Sequence, residues 1–504
     1  MGLTSSTSVW PLRIGAERPL GGEPLAVRSP FDGRVLARVA TADTAAIGRA
    51  IGAAATALEA PLARHRRVAI LDAAALTLQS RRDEVSQVLS AEAGKPIRLA
   101  AVEVDRAVAT LQASATVART LVGSVQPLDA VAAGDGRLGW TTRVPRGVVA
   151  ALTPFNFPLN LVVHKVGPAL AVGCSVVLKP SERTPMSSLL LAEILEQAGL
   201  PDGWLNVVVG DPQAIVAQLI DDPAIAVITF TGSTRVGWDI ERRAARKTVL
   251  LELGNVTPAI VHADADVSEA VAKIVPGAFG FAGQSCVSGQ RILVHRSRHA
   301  EVVAALRSAV DALMVGDPAD AATDVGPVID VASAARIHAW IGEAVAAGAQ
   351  AVRSGNHRDD APFVAPTVLL NATDAMRVCA EEIFGPVLTV TAYDAIDDAI
   401  RSANASGHGL QAAVFTQDIG VALRAAERLR FGSVLINESP SYRVDLMPYG
   451  GVGLSGIGKE GPASAALDMT DEKLIVLDAG LRGAGSADGS SISTTDDSTP
   501  TSDA

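Results

Sequence analysis

The sequence predicts an α/β protein with two domains of alternating strands and helices. Three observations predict it. Near-continuous apolar runs of three to five residues alternate with amphipathic helical patterns across 147–266, and the alternation restarts after Gly254. The chain has 504 residues, more than one compact core usually holds. Hydrophobic residues make up 48% and charged residues 19%, which is ample apolar material for well-buried layers.

The elements follow in order. From about Ala45 to Val122 the periodicity is helical. Strand candidates then fall at Val148–Leu152, Ser175–Leu178, Leu205–Val209, Ala226–Phe230, Val249–Leu253 and Ala259–Val261. Helical patterns lie between them at Met186–Ala198, Gln213–Ile220 and Arg235–Ala245. Strands this apolar belong to a parallel sheet covered on both faces, the pattern of a dinucleotide-type domain. Further on, helical runs at Glu301–Leu313 and Ala334–Ala347 alternate with strand candidates Arg291–Val294, Val387–Val390, Ala412–Phe415 and Ser433–Ile436. That is a second α/β domain. The end of the chain, from Gly480, is Gly, Ser, Thr and Asp with almost no apolar side chains, and is expected to be a disordered tail.

Composition narrows the function. A formal net charge of -11 argues against nucleic acid or an anionic membrane as partner. Three cysteines, Cys174, Cys286 and Cys379, make no disulfide framework, so a reducing, cytoplasmic setting is expected. No apolar run is long enough to span a bilayer, because the longest, around Leu159 to Leu178, contains His164, Lys165 and Pro168. Met1-Gly2-Leu3-Thr4-Ser5-Ser6 has the form of a myristoylation site, but no basic cluster follows to supply a second anchor.

Five segments carry chemistry. Cys286 sits in the glycine-punctuated stretch Phe281-Ala282-Gly283-Gln284-Ser285-Cys286, between flexible, uncharged neighbours that a small electrophile can approach. Asn156, in Thr153-Pro154-Phe155-Asn156-Phe157-Pro158, stands at a strand's carboxyl end, where a carboxamide can meet a developing oxyanion. Lys179 and Glu182, in Lys179-Pro180-Ser181-Glu182, end the next strand, where ribose hydroxyls can be gripped; an acidic group there repels a 2′-phosphate. Gly232-Ser233 turns from strand to helix and can present a helix N-terminus to phosphate. Glu252, in Leu251-Glu252-Leu253-Gly254, is a carboxyl in an apolar strand end, where burial raises its pKa toward a useful base.

Together these segments resemble the aldehyde dehydrogenase superfamily, over about Leu25 to Asp478. The resemblance is carried also by Glu382-Ile383-Phe384-Gly385-Pro386 and Pro448-Tyr449-Gly450-Gly451. It implies that Cys286 attacks the aldehyde carbon, that Asn156 and the Cys286 peptide N–H hold the oxyanion, and that Glu252 activates water against the resulting thioester. Lys165 and Glu460 match residues that relay protons from Glu252. Thr153, Pro154, Phe155, Lys179, Ser181, Glu182, Gly232, Ser233, Leu253, Glu382 and Phe384 match the cofactor contacts, for NAD with NADP possible. No metal is implied.

The resemblance also divides the chain: 1–126 and 147–252 as the NAD-binding domain, 253–440 as the catalytic domain, and 441–462 as a return segment lining the site. Segments 127–146 and 463–478 would form a small β oligomerisation arm, giving a homodimer or homotetramer, and 479–504 the tail. Arg106, His164 and Arg443 fall at substrate-tunnel positions. As a set they point to a short polar or anionic aldehyde, such as lactaldehyde, glyceraldehyde phosphate, succinic semialdehyde or a phosphono- or sulfoacetaldehyde. Each arginine alone could instead pair with a carboxylate such as Asp105 or Asp445. A CoA-acylating semialdehyde dehydrogenase tends to lack the hydrolytic carboxylate, so Glu252 argues against it. A non-catalytic protein that kept the fold would have no use for Cys286, Glu252 and Asn156 together. Two departures from the family stand out. Asn255 follows Gly254 where a second glycine is usual, and Asn tolerates positive φ. Gly453 stands where a lysine is often found, with no chemical account from sequence.

Overall fold

A computed structural model describes residues 9–353 and 358–481. The Met1–Ser6 motif and residues 482–504 of the expected tail lie outside them. The described chain divides into two compact units, 1–120 with 145–470, and 121–144 with 471 onward.

The larger unit is built on two sheets. The first contains β1 (Val148–Leu152), β2 (Val176–Lys179), β3 (Leu205–Val207), β4 (Ile225–Thr231) and β5 (Thr248–Glu252), all parallel. Their order is β5-β4-β1-β2-β3, with the short strand Gly456–Ile457 antiparallel at the β5 edge. Every residue of β1 and β2 is buried, as expected of strands covered on both faces. The chain runs outward from β1 to β3, then returns to the other side of β1 as β4 and β5. The reversal opens a crevice beyond the carboxyl ends of β1 and β4, the usual ligand position in open α/β sheets.

The second sheet contains β6 (Pro258–Val261), β7 (Arg291–His295), β8 (Gln350–Arg353), β9 (Thr367–Leu370), β10 (Val387–Tyr393), β11 (Gln411–Phe415) and β12 (Ser433–Ile436), in the order β8-β9-β10-β7-β6-β11-β12. Only β8 is antiparallel to its neighbour. The strand pattern groups Ala259–Val261 with the first set of strands, whereas the division implied by the resemblance puts it in the second domain, within 253–440. The link 253–257 is too short for the crossover that a parallel neighbour in the first sheet would need, so β6 starts the second sheet instead. The chain thus passes directly from the carboxyl edge of one sheet to the amino edge of the other, and the loop before β7 enters at that same amino edge.

Helices supply the remaining walls. α1 (Ile97–Thr120) presents Leu99, Val102, Glu103 and Arg106 along one stripe. α2 (Asn160–Val172) is buried at every residue, including Asn160, His164 and Lys165. A helix apolar all round would be simple core; polar groups this deep need partners. Residues 463–468, expected in the arm, instead fall in the helix Pro462–Asp468, whose Ala465 and Ala466 are buried and which packs on α1 and α2. The smaller unit is a three-stranded sheet ordered Thr470–Leu481, Gly136–Pro145, Val125–Gln126. It takes in 121–126, which the sequence reading had assigned to the first domain, and the first three residues of the expected tail, 479–481.

Candidate active site

The cysteine loop is held, not flexible. The helix α3 (Val267–Phe279) is followed by Phe281, Ala282 and Gly283, all left-handed at φ of 51°, 54° and 67°. Two of these carry a Cβ, a conformation that persists only where surroundings enforce it. Gly283 is required, since a Cβ there would lie 2.1 Å from the Gly385 carbonyl oxygen. The turn delivers Gln284, whose carboxamide donates to the carbonyls of Phe281 and Pro327 and accepts from the Ile329 N–H at 2.8 Å. At the other end the Thr257 carbonyl accepts from the N–H groups of Gln290 and Arg291, and the Thr257 hydroxyl donates to the Cys286 carbonyl at 3.3 Å. Cys286 is therefore fixed from both sides.

Around the sulfur stand Tyr449, Glu252 and Asn156. Cys286 Sγ is 3.1 Å from Tyr449 Oη. Burial and the neighbouring Glu252 push the thiol up, and the bond to Tyr449 pulls it back. Glu252 ends β5, is buried, and neither of its oxygens has a hydrogen-bond partner at ordinary geometry among the described residues. Burial and then Glu460 push its carboxyl up to about 8, with Arg443 and Lys165 only partly offsetting them. Asn156 Nδ2 donates to the Gln284 carbonyl at 3.0 Å, and its Oδ1 is buried without a partner.

Behind these lies a buried polar network. Lys165 Nζ donates to Thr229 Oγ1 at 3.0 Å and to Glu460 Oε1 at 3.1 Å; Thr231 Oγ1 reaches the same oxygen at 3.1 Å. Arg443 Nη2 donates to Glu460 Oε2 at 3.0 Å. Burial works against the Glu460 charge, but Lys165 and Arg443 outweigh it and hold the carboxyl at about 2. His164 Nε2 lies 2.8 Å from Asp445 Oδ1 and 3.2 Å from Arg443 Nη2. One ring nitrogen cannot donate to the first and accept from the second. Asp445 is held ionised by His164 and Arg106 despite burial, so Nε2–H donates to it. Arg106 grips the same carboxylate through Nε and Nη2 at 3.0 and 2.8 Å, and Asn160 Nδ2 adds a donor at 2.9 Å. Asp105 pairs with Arg82 instead.

Two cavities meet at Cys286. One, of about 190 Å³, is lined by Arg106, Asn160, Phe157, Ser441, Arg443 and Tyr449 among others. Arg106 and Arg443 reach its wall. His164 does not: it is fully buried, and burial followed by Arg443 lowers its imidazole from the ordinary range. The expected trio is thus two arginines on the wall with the histidine behind them. The second cavity, of about 350 Å³, occupies the crevice of the first sheet. Pro154, Phe155, Gly232, Ser233, Leu253, Glu382 and Phe384 line it together with Asn156, Glu252 and Cys286. Thr153 lies just before Pro154. Lys179, Ser181 and Glu182 end the adjacent strand, with Lys179 Nζ 3.2 Å from Glu182 Oε2.

A family model described as the aldehyde dehydrogenase family matches residues 19–475. The chain belongs to the aldehyde dehydrogenase family. A 3-sulfolactaldehyde dehydrogenase of Priestia aryabhattai is 43% identical over 94% of this chain and 100% of its own length. A lactaldehyde dehydrogenase of Methanocaldococcus jannaschii is 38% identical over 82% and 88%. Among solved structures, aldehyde dehydrogenase 21 of Physcomitrella patens in complex with succinate superposes with a TM-score of 0.90 at 36% identity, covering 95% of this chain and 99% of that one. An NADP-dependent glyceraldehyde-3-phosphate dehydrogenase of Bacillus halodurans, complexed with NADP, gives 0.90 at 35% identity over 94% and 99%.

This aldehyde dehydrogenase oxidises an aldehyde to the acid with NAD(P). Its crevice fits such a cofactor on its own terms. Ser233 precedes a helix, Thr234–Arg243, yet makes no capping hydrogen bond, which leaves the helix start free for phosphate. Glu382 is half-buried, accepts from the Asn255 N–H at 3.1 Å, and is pushed up to about 7 by its partial desolvation. Phe384 packs edge-on against Phe155 at 5.9 Å.

The two departures resolve. Asn255 is not at positive φ; its amide donates to Thr257 Oγ1 and the Gln411 carbonyl and accepts from the Leu410 N–H, so the side chain ties the inter-sheet link. Gly453 is at φ 59°, and a Cβ would sit 2.7 Å from the Gly407 carbonyl oxygen, which excludes lysine there. Sequence reasoning gave no role to Tyr449, Asn160 or the buried Lys95–Glu103 pair in the substrate pocket, and treated Asp445 only as a possible partner for an arginine. Tyr449 lay inside a quoted motif; the others had no local signal.

Proposed function

We propose that this enzyme oxidises a short aldehyde bearing an anionic group, through covalent chemistry at Cys286. The pocket of about 190 Å³ ending at Cys286, walled by two guanidinium groups, carries that reading. Asp445 engages Nε and Nη2 of Arg106, which leaves Nη1 for a substrate anion. Arg443 Nε is buried without a partner, and Ser441 stands on the same wall. The named activity of the similar 3-sulfolactaldehyde dehydrogenase and the succinate in the Physcomitrella patens structure support this substrate class.

In this reading the Cys286 thiolate forms a C–S bond with the carbonyl carbon, and the π pair moves to oxygen. Asn156 Nδ2 and the Cys286 peptide N–H receive that charge; one such donor is typically worth about 3–4 kcal/mol. Bound NAD(P) supplies the hydride acceptor. Collapse leaves the acyl group on Sγ as a thioester. Glu252 then takes a proton from water, the oxygen attacks the acyl carbon, the C–S bond breaks and the acid departs. The proton leaves by way of the Lys165–Glu460 pair. Glu182 favours a free 2′-hydroxyl, hence NAD over NADP. Self-association through the small β unit and a cytoplasmic setting, in keeping with three free cysteines, complete the reading.

The test compares kcat/KM for an anionic semialdehyde and for hexanal, in the wild type and in Arg443→Leu. The wild type is expected to prefer the anion. The variant is expected to lose activity on both substrates, since Arg443 also stacks on Tyr449 and pairs with Glu460, but to lose roughly 10²-fold more on the anion than on hexanal, as for loss of a desolvated charge-assisted contact. Equal handling of both substrates by the wild type overturns the substrate class.

A further inference from the structure

We propose that Tyr449 is a catalytic residue: its phenolic O–H donates to the Cys286 sulfur and holds it as the attacking group, beneath an Arg443 guanidinium stacked on its ring. The proposal rests on Cys286 being the nucleophile.

Tyr449 is 1% exposed, and its hydroxyl stands 3.1 Å from Sγ. A buried phenol normally finds a partner, and the partner here is the reacting atom. Its backbone is fixed, since Tyr449 and Glu460 exchange N–H···O bonds in both directions. A neutral thiol is a weak donor and a weak acceptor, whereas a thiolate only accepts and does so strongly. The bond therefore favours the charged sulfur selectively. It weakens when the sulfur becomes a thioester and re-forms as the thiolate departs, so the same hydroxyl assists both attack and hydrolysis.

The phenol remains a donor throughout, because burial first, then Cys286 and Glu252, push it well above its ordinary range. Arg443 Cζ lies 3.7 Å over the ring, and a cation on that face draws density from the phenol and strengthens its O–H as a donor. The other groups facing the sulfur divide: Glu252 and Glu382 oppose its charge when ionised, and Arg443 favours it. Tyr449 is the neutral donor that offsets the two carboxyl groups.

Tyr449→Phe keeps the ring and the stack and removes only the hydroxyl. In the full-length enzyme, alkylation of Cys286 by iodoacetamide is followed against pH, with mass spectrometry reporting on that cysteine apart from Cys174 and Cys379. The apparent midpoint is expected to rise by about one unit, so that the rate at pH 7 falls about tenfold. Turnover falls in kcat with KM nearly unchanged, while thermal melting stays at the wild-type value. A wild-type alkylation midpoint in Tyr449→Phe overturns the proposal. Cys286→Ser separates the two readings: sustained turnover in that variant removes the nucleophile assignment itself, while a dead Cys286→Ser beside an unshifted Tyr449→Phe removes only the role of Tyr449.

Discussion

Glu252 shows what burial does to one side chain. At about 8 its carboxyl is mostly protonated at neutral pH, and it opposes charge on Cys286 only as far as it ionises. The basic form appears only as pH rises through about 8. Hydrolysis of the acyl-enzyme is therefore expected to accelerate with pH up to and past that value, which stopped-flow measurement of the steady phase after the first turnover will show. Glu252→Gln is expected to release about one equivalent of reduced cofactor per site and then to slow by roughly 10²–10⁴. Steady turnover at the wild-type rate in that variant would falsify the assignment. Residues like this were legible because each sits in a contiguous motif whose chemistry is local: a thiol in a glycine turn, an amide and a carboxyl at strand ends. Tyr449 and Asp445 act through contacts with residues 163 and 339 positions away, and nothing in their own neighbourhoods signals those contacts.

At the scale of elements, the site exists because two edges face each other across a short link. Strand β5 ends at Glu252, the next strand of the other sheet starts at Pro258, and Thr257 between them clamps the cysteine loop. Both runs of alternation were visible in the sequence, since a strand buried on both faces must be apolar throughout. Which sheet owned β6 was not visible in the periodicity, which carries no information about crossover length; only the resemblance placed it in the second domain. Nor was the left-handed turn at 281–283 visible, where the sequence offers one glycine for three such residues. That turn makes a prediction. Gly283→Ala combines the left-handed penalty with a Cβ 2.1 Å from the Gly385 oxygen. A loss of about 2–5 kcal/mol is expected. Since Cys286 follows three residues later, thiol labelling should change with stability. Wild-type melting together with wild-type labelling kinetics would count against the turn as the device that sets the cysteine.

The whole molecule carries an unspent apolar surface. In the small β unit, Leu138 and Trp140 lie two apart on one strand, as do Leu474 and Val476 on another, so each pair shares a face of its strand. They are 49%, 37%, 53% and 49% exposed, and Val125 on the third strand is 83% exposed. Isolated surface leucines need no explanation, but six large apolar side chains on one three-stranded sheet, with Leu477 the sixth, do. A sheet this small cannot cover such a face with its own residues, and a second copy of the chain, presenting the same face, is the simplest cover. Leu474→Glu with Val476→Glu puts two like charges on that face without touching the catalytic unit. Light scattering is expected to show the mass of the double variant falling toward 51.7 kDa, the mass of one chain, while far-ultraviolet circular dichroism stays unchanged. The effect should persist at raised salt, because desolvation of the carboxylates opposes assembly as well as their mutual repulsion. A variant that keeps the wild-type mass would place self-association elsewhere, and a wild-type enzyme already at 51.7 kDa would remove it altogether.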